Sequence, residues 1–327
     1  MRKIAIEEHW GTPAFQQYCF RLPVYRGFRG PSTPGVEAHL ADIWNRLNDI
    51  DDLRLAEMDE WGIDIQMLSL APPGIQLEPD VNEAIKMAKH YNDALAKIIA
   101  RHPKRFAGLA VLPLQDPKCA ANELERAVTQ LDFKGAYINS HTNGEYLDHE
   151  KFWVVFERAE ALGVPLYIHP NFLPDSPKVY TGYPELTGPV WGWGVETASH
   201  ALRLVFSGLF DVFPKTTIIL GHLGEMLPYN LRRFDSRWKS FGQQNSKLKK
   251  MPSQYFKENF MISTSGNFSP ESLILAILTM GADHILFAVD YPYEPNKDGV
   301  QFIENAIISD TDREKICHLN AERVFRL

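Results

Sequence analysis

Eight short apolar segments recur along the 327-residue chain, and each is followed by a longer segment whose apolar residues have helical spacing. The predicted strands span residues 3–9, 63–70, 106–114, 135–140, 164–170, 217–222, 260–265 and 285–290. They are rich in Ile, Leu, Val and Phe, and carry too few polar residues for a sheet with one face in water. Eight strand–helix units of this kind predict an α/β fold, a (β/α)8 TIM barrel.

Two long segments exceed what a barrel of about 250 residues requires. Residues 11–36 follow the first predicted strand and residues 171–194 follow the fifth, and both are dense in aromatic residues, Pro and Gly. Loops after barrel strands lie on the catalytic face, so we expect two long loops that form lids or pocket walls. Because the sequence shows no internal repeat and no linker, residues 1–327 are expected to form a single domain.

Charge and cysteine content argue against several kinds of partner. The 34 basic and 41 acidic residues give a net charge of −7, without the basic clusters that bind nucleic acids or anionic membranes. No stretch approaches the run of uncharged apolar residues that a membrane helix needs. The three cysteines lack CxxC spacing, which argues against a disulfide framework and predicts a cytoplasmic protein.

Side chains that can bind metal stand at the carboxyl ends of four predicted strands, where barrel enzymes place their chemistry. They are Glu7 and His9 after strand one, His169 after strand five, His222 after strand six and Asp290 after strand eight. Glu7 and His9 project from one side of their strand, because side chains alternate along a strand. Taken singly, each is typical of a satisfied or solvated residue, whereas the convergent set predicts a metal site.

The expected ligands are Glu7, His9, His169 and Asp290. Two carboxylates and two imidazoles form a mixed oxygen and nitrogen environment, which suits Zn²⁺, Mn²⁺ or Fe²⁺ better than Ca²⁺. The fourth strand ends in the sequence YINS, without the Lys that bridges two ions in binuclear metallohydrolases on this barrel. One divalent metal ion is therefore expected.

His222 is expected to lie outside the set of metal ligands. It belongs to the motif GHLGE, in which Glu225 follows three residues later, where a helix is expected to begin. This spacing allows the Glu225 carboxylate to accept the second N–H of the imidazole, an arrangement typical of proton transfer. Alternatively, Glu225 is an acid in the first turn of a helix, where the helix dipole favours it.

These motifs together resemble the amidohydrolase superfamily, in its branch of nonoxidative aromatic acid decarboxylases, and within it the γ-resorcylate (2,6-dihydroxybenzoate) decarboxylases. The matching stretches run in order along nearly the whole chain and include KIAIEEH, VPLYIHP, HALRL, GHLGE, TSGNF and GADHILFAVDYPYE. The resemblance implies release of CO2 from a hydroxybenzoate by a homo-oligomer, a dimer or tetramer. It also implies Zn²⁺ or Mn²⁺ on the same four ligands, with Asp290 and His222 catalytic and Glu225 supporting His222.

Three further residues are expected to contact a flat aromatic carboxylic acid. The resemblance places Arg233, or its neighbour Arg232, at the substrate or at a subunit interface. Phe20 and Trp191, from the two aromatic insertions, are expected to cover the substrate, although long loops also use such residues only to pack against the core.

Two other functions fit the same ligand set. A mononuclear hydrolase of an amide or lactone would use the ion to activate water, with Asp290 as the base. A metal-dependent sensor or scaffold would keep the barrel without catalysing a reaction. Product analysis on a panel of aromatic acids, amides and lactones separates the three.

Overall fold

Parallel strands form the centre of the computed structural model, which describes residues 1–28 and 33–327, with the backbone alone at 26–28 and 245. In this part of the chain the strands are β1 (Ile4–Trp10), β2 (Ile65–Leu70), β3 (Phe106–Gly108), β4 (Ala136–Asn139), β5 (Leu166–His169), β6 (Ile218–Leu220), β7 (Phe260–Ser263) and β8 (Ile285–Leu286). Each strand pairs in parallel with its neighbour in sequence, within one sheet of β1–β3 and one of β4–β8.

Backbone hydrogen bonds join these two sheets into a barrel. Beyond the end of β3, Ala110 N donates to Gly135 O at 2.9 Å, next to the start of β4. Beyond the end of β8, Asp290 N donates to Glu7 O of β1 at 3.0 Å. The predicted (β/α)8 barrel is thereby confirmed, and its second seam places two expected metal ligands side by side.

Every connection between strands contains at least one helix. The first eight are α1 (Pro13–Arg21), α2 (Pro23–Phe28), α3 (Pro34–Asn48), α4 (Leu53–Trp61), α5 (Val81–Arg101), α6 (Pro117–Gln130), α7 (Trp153–Leu162) and α8 (Gly192–Phe206). The others are α9 (Leu209–Val212), α10 (Leu227–Arg237), α11 (Pro252–Asn259), α12 (Pro270–Met280), α13 (Asn296–Asn305), α14 (Asp310–Glu314) and α15 (Asn320–Phe325). Within the described ranges, none of the helices combines the length and apolar character needed to span a bilayer.

Apolar side chains fill the barrel and the space around it. Those inside the barrel include Ile4, Ile6, Met67, Leu109, Tyr137, Tyr167, Ile219, Met261 and Leu286. A larger apolar cluster lies between the strands and the surrounding helices. Because both faces of the strands are buried, polar side chains collect at the strand ends, where this core stops.

The first insertion is largely helical, which corrects the prediction of a long loop over residues 11–36. Thr12 caps α1 by accepting a hydrogen bond from Phe15 N at 3.1 Å, and Thr33 caps α3 in the same way. Each Thr is followed by Pro, which favours a first helical turn. Residues 29–32 of this segment lie outside the described residues. The second insertion is the predicted long loop, with short 3₁₀ turns, up to the start of α8.

Candidate metal centre

Four side chains meet at the carboxyl ends of β1 and β5 and just beyond β8. One ligand atom from each of Glu7, His9, His169 and Asp290, here called the ligand cluster, lies within 4.8 Å of the other three. His9 Nε2 is 3.0 Å from Asp290 Oδ1, and His169 Nε2 is 3.5 Å from Glu7 Oε1. The structure thus brings together all four predicted ligands, in an arrangement suited to one divalent ion.

A β-bulge turns Glu7 and His9 into the barrel. The pairing of β1 with β2 shifts register between Ala5 and Glu8. Ile6 belongs to the core inside the barrel, so strict alternation would place Glu8 on the inner face. The extra residue of the bulge places Glu7 and His9 there instead, and bulges are common beside active sites.

Hydrogen bonds leave one oxygen of Glu7 free to face the ligand cluster. Its Oε2 accepts hydrogen bonds from the Tyr167 hydroxyl and from Ser263 Oγ, the latter at 3.0 Å. Its Oε1 is buried and has no hydrogen-bond partner among the described residues. An unpaired buried carboxylate oxygen costs free energy. A cation bound by the cluster would remove that cost, so the residues present fit a metal ion.

The neighbours of His169 determine which of its nitrogens faces the cluster. Its Nδ1 lies 2.8 Å from Pro170 O and 3.2 Å from Asn139 Oδ1, so this nitrogen carries the hydrogen. Nε2 is then left with a lone pair, as a metal ligand requires. Burial and the neighbouring His9 lower the pKa of His169 well below its usual value, which keeps the ring neutral. Asn139 ends β4, where a bridging Lys would be needed for a second ion.

His222 lies beside the ligand cluster with its other nitrogen held by Glu225. The distance from His222 Nδ1 to Glu225 Oε1 is 2.6 Å, as the spacing predicted. His222 Nε2 is 3.7 Å from Asp290 Oδ2 and 3.9 Å from Glu7 Oε1. Burial alone would lower the pKa of His222, but these carboxylates, Glu225 first, hold the pKa well above its usual value. The charged imidazolium is therefore favoured at this position.

The pKa of Asp290 is shifted in the opposite direction to that of His222. Burial alone would raise the pKa of Asp290, but interactions with His222 and His9 outweigh burial and hold the pKa well below its usual value. In this pair the proton therefore resides on His222, and the carboxylate of Asp290 is free to act as a ligand or to receive a proton.

The segment that carries His222 is a left-handed turn, not the beginning of a helix. Residues 222–226 all have positive φ angles, and α10 begins only at Leu227. Asp290 also has a positive φ, of 80°. Such backbone strain in residues other than Gly collects at functional sites. Glu225 therefore lies in this turn, two residues before α10 begins, with its carboxylate bound to His222.

Two glycines leave the space that these groups need. A Cβ on Gly221 would lie 2.9 Å from Glu7 Oε2, closer than real contacts allow. Gly266 has a φ of +58°, and a Cβ there would lie 3.1 Å from the His222 ring and 3.4 Å from Asp290 Oδ2. Larger residues at these two positions would displace the side chains of the cluster.

Glu8 and Arg54 support Asp290 from the outer side of the barrel, a contribution that sequence reasoning missed. The two oxygens of Glu8 accept hydrogen bonds from the backbone N–H groups on either side of Asp290, at 2.8 and 3.2 Å. Arg54 is fully buried, and its guanidinium lies 4.6 Å from the centre of the Tyr291 ring. The signal available in the sequence was Glu8, the second acid of the EEH motif, which lies on the strand face opposite to Glu7 and His9.

A cavity of about 790 Å³ opens above the ligand cluster. Its wall, called the cavity wall below, consists of side chains from α3, from the segment before α8 and its first turn, and from the segment after Asp290. They are Gly35, Val36, His39, Leu40, Ile43, Pro189, Val190, Trp191, Trp193, Gly194, Tyr293 and Glu294. The other lining residues include Tyr25, Pro72, Phe172, Met226 and Asn267. The size and apolar character are typical of a small-molecule site.

Of the three predicted substrate contacts, Trp191 alone lines this cavity. Phe20 lies behind it, with its ring centre 5.8 Å from that of Tyr25 and 6.0 Å from that of Trp44. Arg233 is exposed on α10, as is Arg232, and neither lines the cavity. The structure therefore does not bring Phe20 or Arg233 to a site formed by one chain.

Tyr293, Glu294 and Asn267 line the cavity but were not singled out from the sequence. Tyr293 and Glu294 follow Asp290 within four residues, and Asn267 follows the end of β7. Position just beyond a strand end was the signal that could have identified them.

Known proteins are similar to this chain over most of its length. An amidohydrolase family model matches residues 36–327. γ-Resorcylate decarboxylase from Polaromonas sp. strain JS666 is 43% identical over 335 residues, which covers 99% of this chain and 98% of that protein.

Two crystal structures show the same fold over the whole chain. A 2,6-dihydroxybenzoate decarboxylase complexed with 2,6-dihydroxybenzoate has a TM-score of 0.91 and 41% identity, covering 100% of both chains. The dihydroxybenzoic acid decarboxylase from Polaromonas sp. JS666, with bound manganese and the inhibitor 2-nitroresorcinol, has a TM-score of 0.91 and 42% identity, covering 99% of this chain and 97% of that one. The chain therefore belongs to the amidohydrolase family, in the branch that contains the γ-resorcylate decarboxylases.

Proposed function

We propose that this protein is a metal-dependent carboxy-lyase that releases CO2 from an aromatic carboxylic acid with an ortho hydroxyl group. The substrate is γ-resorcylate (2,6-dihydroxybenzoate) or a close analogue. The observation that carries this proposal is the pairing of a four-residue ligand cluster with His222, which is hydrogen-bonded to Glu225 and lies 3.7 Å from Asp290, at the base of an apolar cavity. Relatives support the proposal. A γ-resorcylate decarboxylase is 43% identical, and two decarboxylase structures, 41% and 42% identical, contain 2,6-dihydroxybenzoate in one case and manganese with 2-nitroresorcinol in the other.

The cavity suits a flat ring with polar groups on one edge. The substrate carboxylate and the adjacent phenolic oxygen face the ligand cluster, while the ring lies against apolar and aromatic side chains such as Phe172 and Trp193. A bound divalent ion supplies Lewis-acid chemistry that holds and polarises these oxygens. Glu7, His9, His169 and Asp290 would hold this ion.

Proton delivery falls to His222 and Asp290. The ring carbon that bears the carboxylate must gain a proton, which interrupts the aromatic ring. Glu225 keeps His222 charged, His222 passes its proton to Asp290, and Asp290 donates it to the ring carbon. The electron pair of the broken carbon–carbon bond then returns to the ring, which regains its aromaticity as CO2 leaves. Positioned proton transfer of this kind contributes about 10²–10⁴-fold to a rate.

The proposal extends to the identity of the metal ion, the cellular location and the oligomeric state. The ion is Mn²⁺ or Zn²⁺, and the manganese in a relative supports the former. Cytoplasmic location is supported by three cysteines that form no disulfide in the described chain. A homo-oligomer, dimer or tetramer, is supported by the exposed Tyr229 on α10, and there Arg233 would contact a neighbouring copy.

The test is an assay of purified protein loaded with Mn²⁺ or Zn²⁺, with loss of 2,6-dihydroxybenzoate followed by ultraviolet absorbance and CO2 measured directly. Turnover that stops with a chelator and returns with added metal is expected. His222→Asn should retain its metal content and lose turnover. Hydrolysis of an amide or lactone without CO2 release from any hydroxybenzoate would overturn the proposal in favour of a metallohydrolase.

A further inference from the structure

Positive charge is scarce in the cavity away from the ligand cluster. Among the described residues that line it there is no Lys and no Arg. His39 of α3 is the basic side chain on the cavity wall in this part of the chain, and it is exposed. Among the residues that the structure describes, the cationic side chains that an anionic substrate group would meet therefore lie mainly at the ligand cluster.

Glu294 adds negative charge to that wall. Its carboxylate lines the cavity in a half-buried position, and no hydrogen bond or ion pair of this side chain is found within residues 1–28 and 33–327. The other two acids of the lining differ: Asp290 contacts His9 at 3.0 Å, and Glu225 contacts His222 at 2.6 Å. Burial and the nearby charges of Asp290 and Asp298 raise the pKa of Glu294.

Because Glu294 has no partner among the described side chains and faces the cavity, its carboxylate is available to pair with a group on a bound ligand. A carboxylate accepts hydrogen bonds, and its natural partner on an aromatic acid is a hydroxyl group. A second carboxylate on the ring would instead meet Glu294 as a like charge. One carboxylate can therefore favour a hydroxyl group by hydrogen bonding and disfavour a second carboxylate by charge repulsion.

We propose that Glu294 accepts a hydrogen bond from a second phenolic hydroxyl of the substrate. The enzyme thereby selects dihydroxy aromatic monoacids over monohydroxy acids and over diacids. This inference rests on the proposed function, because it assumes that the first hydroxyl and the carboxylate occupy the ligand cluster. Glu294 thereby influences which ring substituents are accepted, although it takes no part in breaking the carbon–carbon bond.

Binding of two inhibitors tests the inference without turnover. 2-Nitroresorcinol, which a relative binds, and 2-nitrophenol differ by one hydroxyl, so calorimetry on the Mn²⁺-loaded protein isolates the contribution of that group. We expect the protein to prefer 2-nitroresorcinol, and Glu294→Ala to reduce this preference about tenfold or more, since hydrogen bonds to charged groups are strong. Affinity for 2-nitrophenol should stay within about twofold.

The matched control is Glu157→Ala, which removes an exposed acid on α7 that does not line the cavity. It should leave the preference unchanged. Glu294→Gln provides a second, more conservative variant, with an intermediate loss of preference. Equal weakening of both inhibitors by Glu294→Ala, or no change in either, would overturn the inference.

Kinetics separate this inference from the proposed function. For the wild type we expect kcat/KM to fall from 2,6-dihydroxybenzoate to salicylate and further to 3-hydroxyphthalate, whose second carboxylate takes the place of the second hydroxyl, and Glu294→Gln to raise the last value several-fold. An unchanged ratio between the first two acids in Glu294→Ala would overturn the role of Glu294 and leave the reaction standing. Absence of CO2 from every acid, with the inhibitor preference intact, would overturn the reaction and retain the hydroxyl contact.

Discussion

The ligand cluster and the cavity wall face the same substrate but are built differently. Glu7, His9 and His169 are at most 3% exposed, and the neighbours of Glu7 and His169 fix the atoms that face the ion. On the cavity wall, Val190 is 71% and Trp191 46% exposed. The cluster is held by strand ends and hydrogen bonds, whereas the wall comes from loops, from helix α3 and from the first turn of α8.

This difference separates two requirements on the enzyme. Metal binding and proton transfer require the ligand and donor atoms to be placed to within about 1 Å. Substrate selection depends on the shape and charge of surfaces that can change without disturbing the barrel. Substitutions in the cluster and its support should therefore impair kcat or stability, and substitutions in the wall should alter KM and substrate preference.

The largest effect is expected from Asp290→Asn. This change removes both a metal ligand and the proposed proton donor, so kcat should fall about 10²–10⁴-fold or more. Turnover of 2,6-dihydroxybenzoate and metal content, measured on the same sample, separate the two contributions. Asp298→Asn, an exposed acid in the first turn of α13, is the matched control and should retain activity. Full turnover by Asp290→Asn with metal bound would exclude Asp290 as the donor.

The second prediction concerns the support behind the cluster. Glu8→Ala leaves two buried backbone N–H groups without an acceptor. It also removes the carboxylate near the buried guanidinium of Arg54. The free energy of unfolding should therefore fall by about 3–5 kcal/mol. Glu8→Gln retains an acceptor for one N–H and should lose less. Denaturant unfolding with and without chelator measures the loss, and equal stability of Glu8→Ala and the wild type would show that the strand seam needs no such support.

The third prediction addresses Glu196, at the junction of the two regions. It lies on α8, whose first turn belongs to the cavity wall, and its Oε1 accepts a hydrogen bond from Ser140 Oγ just after β4, at 2.6 Å. Burial raises the pKa of Glu196 to about 7, so the native state retains a proton that the unfolded state releases at about pH 4.5. This contribution to stability is complete below about pH 4.5 and is lost as pH rises towards 7.

The loss amounts to at most about 3 kcal/mol, and Glu196→Gln should remove this part of the pH dependence. Denaturant unfolding of both proteins at pH 5 and pH 8 measures the difference. Glu157→Gln, at an exposed position on α7, is the control and should follow the wild type. Parallel pH profiles for wild type and Glu196→Gln would show that the carboxyl ionises at its ordinary pH.

The contrast between cluster and wall also explains what could be predicted from the sequence. Strand ends are marked by short apolar runs, so Glu7, His9, His169 and Asp290 could be placed together from their position after those runs. Local spacing was likewise sufficient to pair His222 with Glu225. The bulge in β1 and the left-handed turn after β6 could not be predicted, because they arise from contacts between distant strands.

The wall was predicted less well because its residues follow no strand periodicity. Dense Pro and Gly in residues 11–36 suggested a loop, yet Thr12 and Thr33 followed by Pro are helix starts. Phe20 was expected over the substrate, but α1 directs it towards Trp44. Which face of such a helix meets the cavity depends on tertiary contacts that a single sequence does not contain.

The smallest effect is expected from Trp191→Ala on the wall. Trp191 lines the cavity and is 46% exposed, so its loss removes apolar contact with the ring but little of the protein core. KM for 2,6-dihydroxybenzoate should rise about three- to tenfold with kcat unchanged, and unfolding free energy should change by less than about 0.5 kcal/mol. Tyr183→Ala, 60% exposed in the same loop but outside the cavity lining, is the control and should change neither constant. A fall in kcat as large as the rise in KM would mean that Trp191 orients the ring for proton transfer, and the wall would then share the positional demands of the cluster.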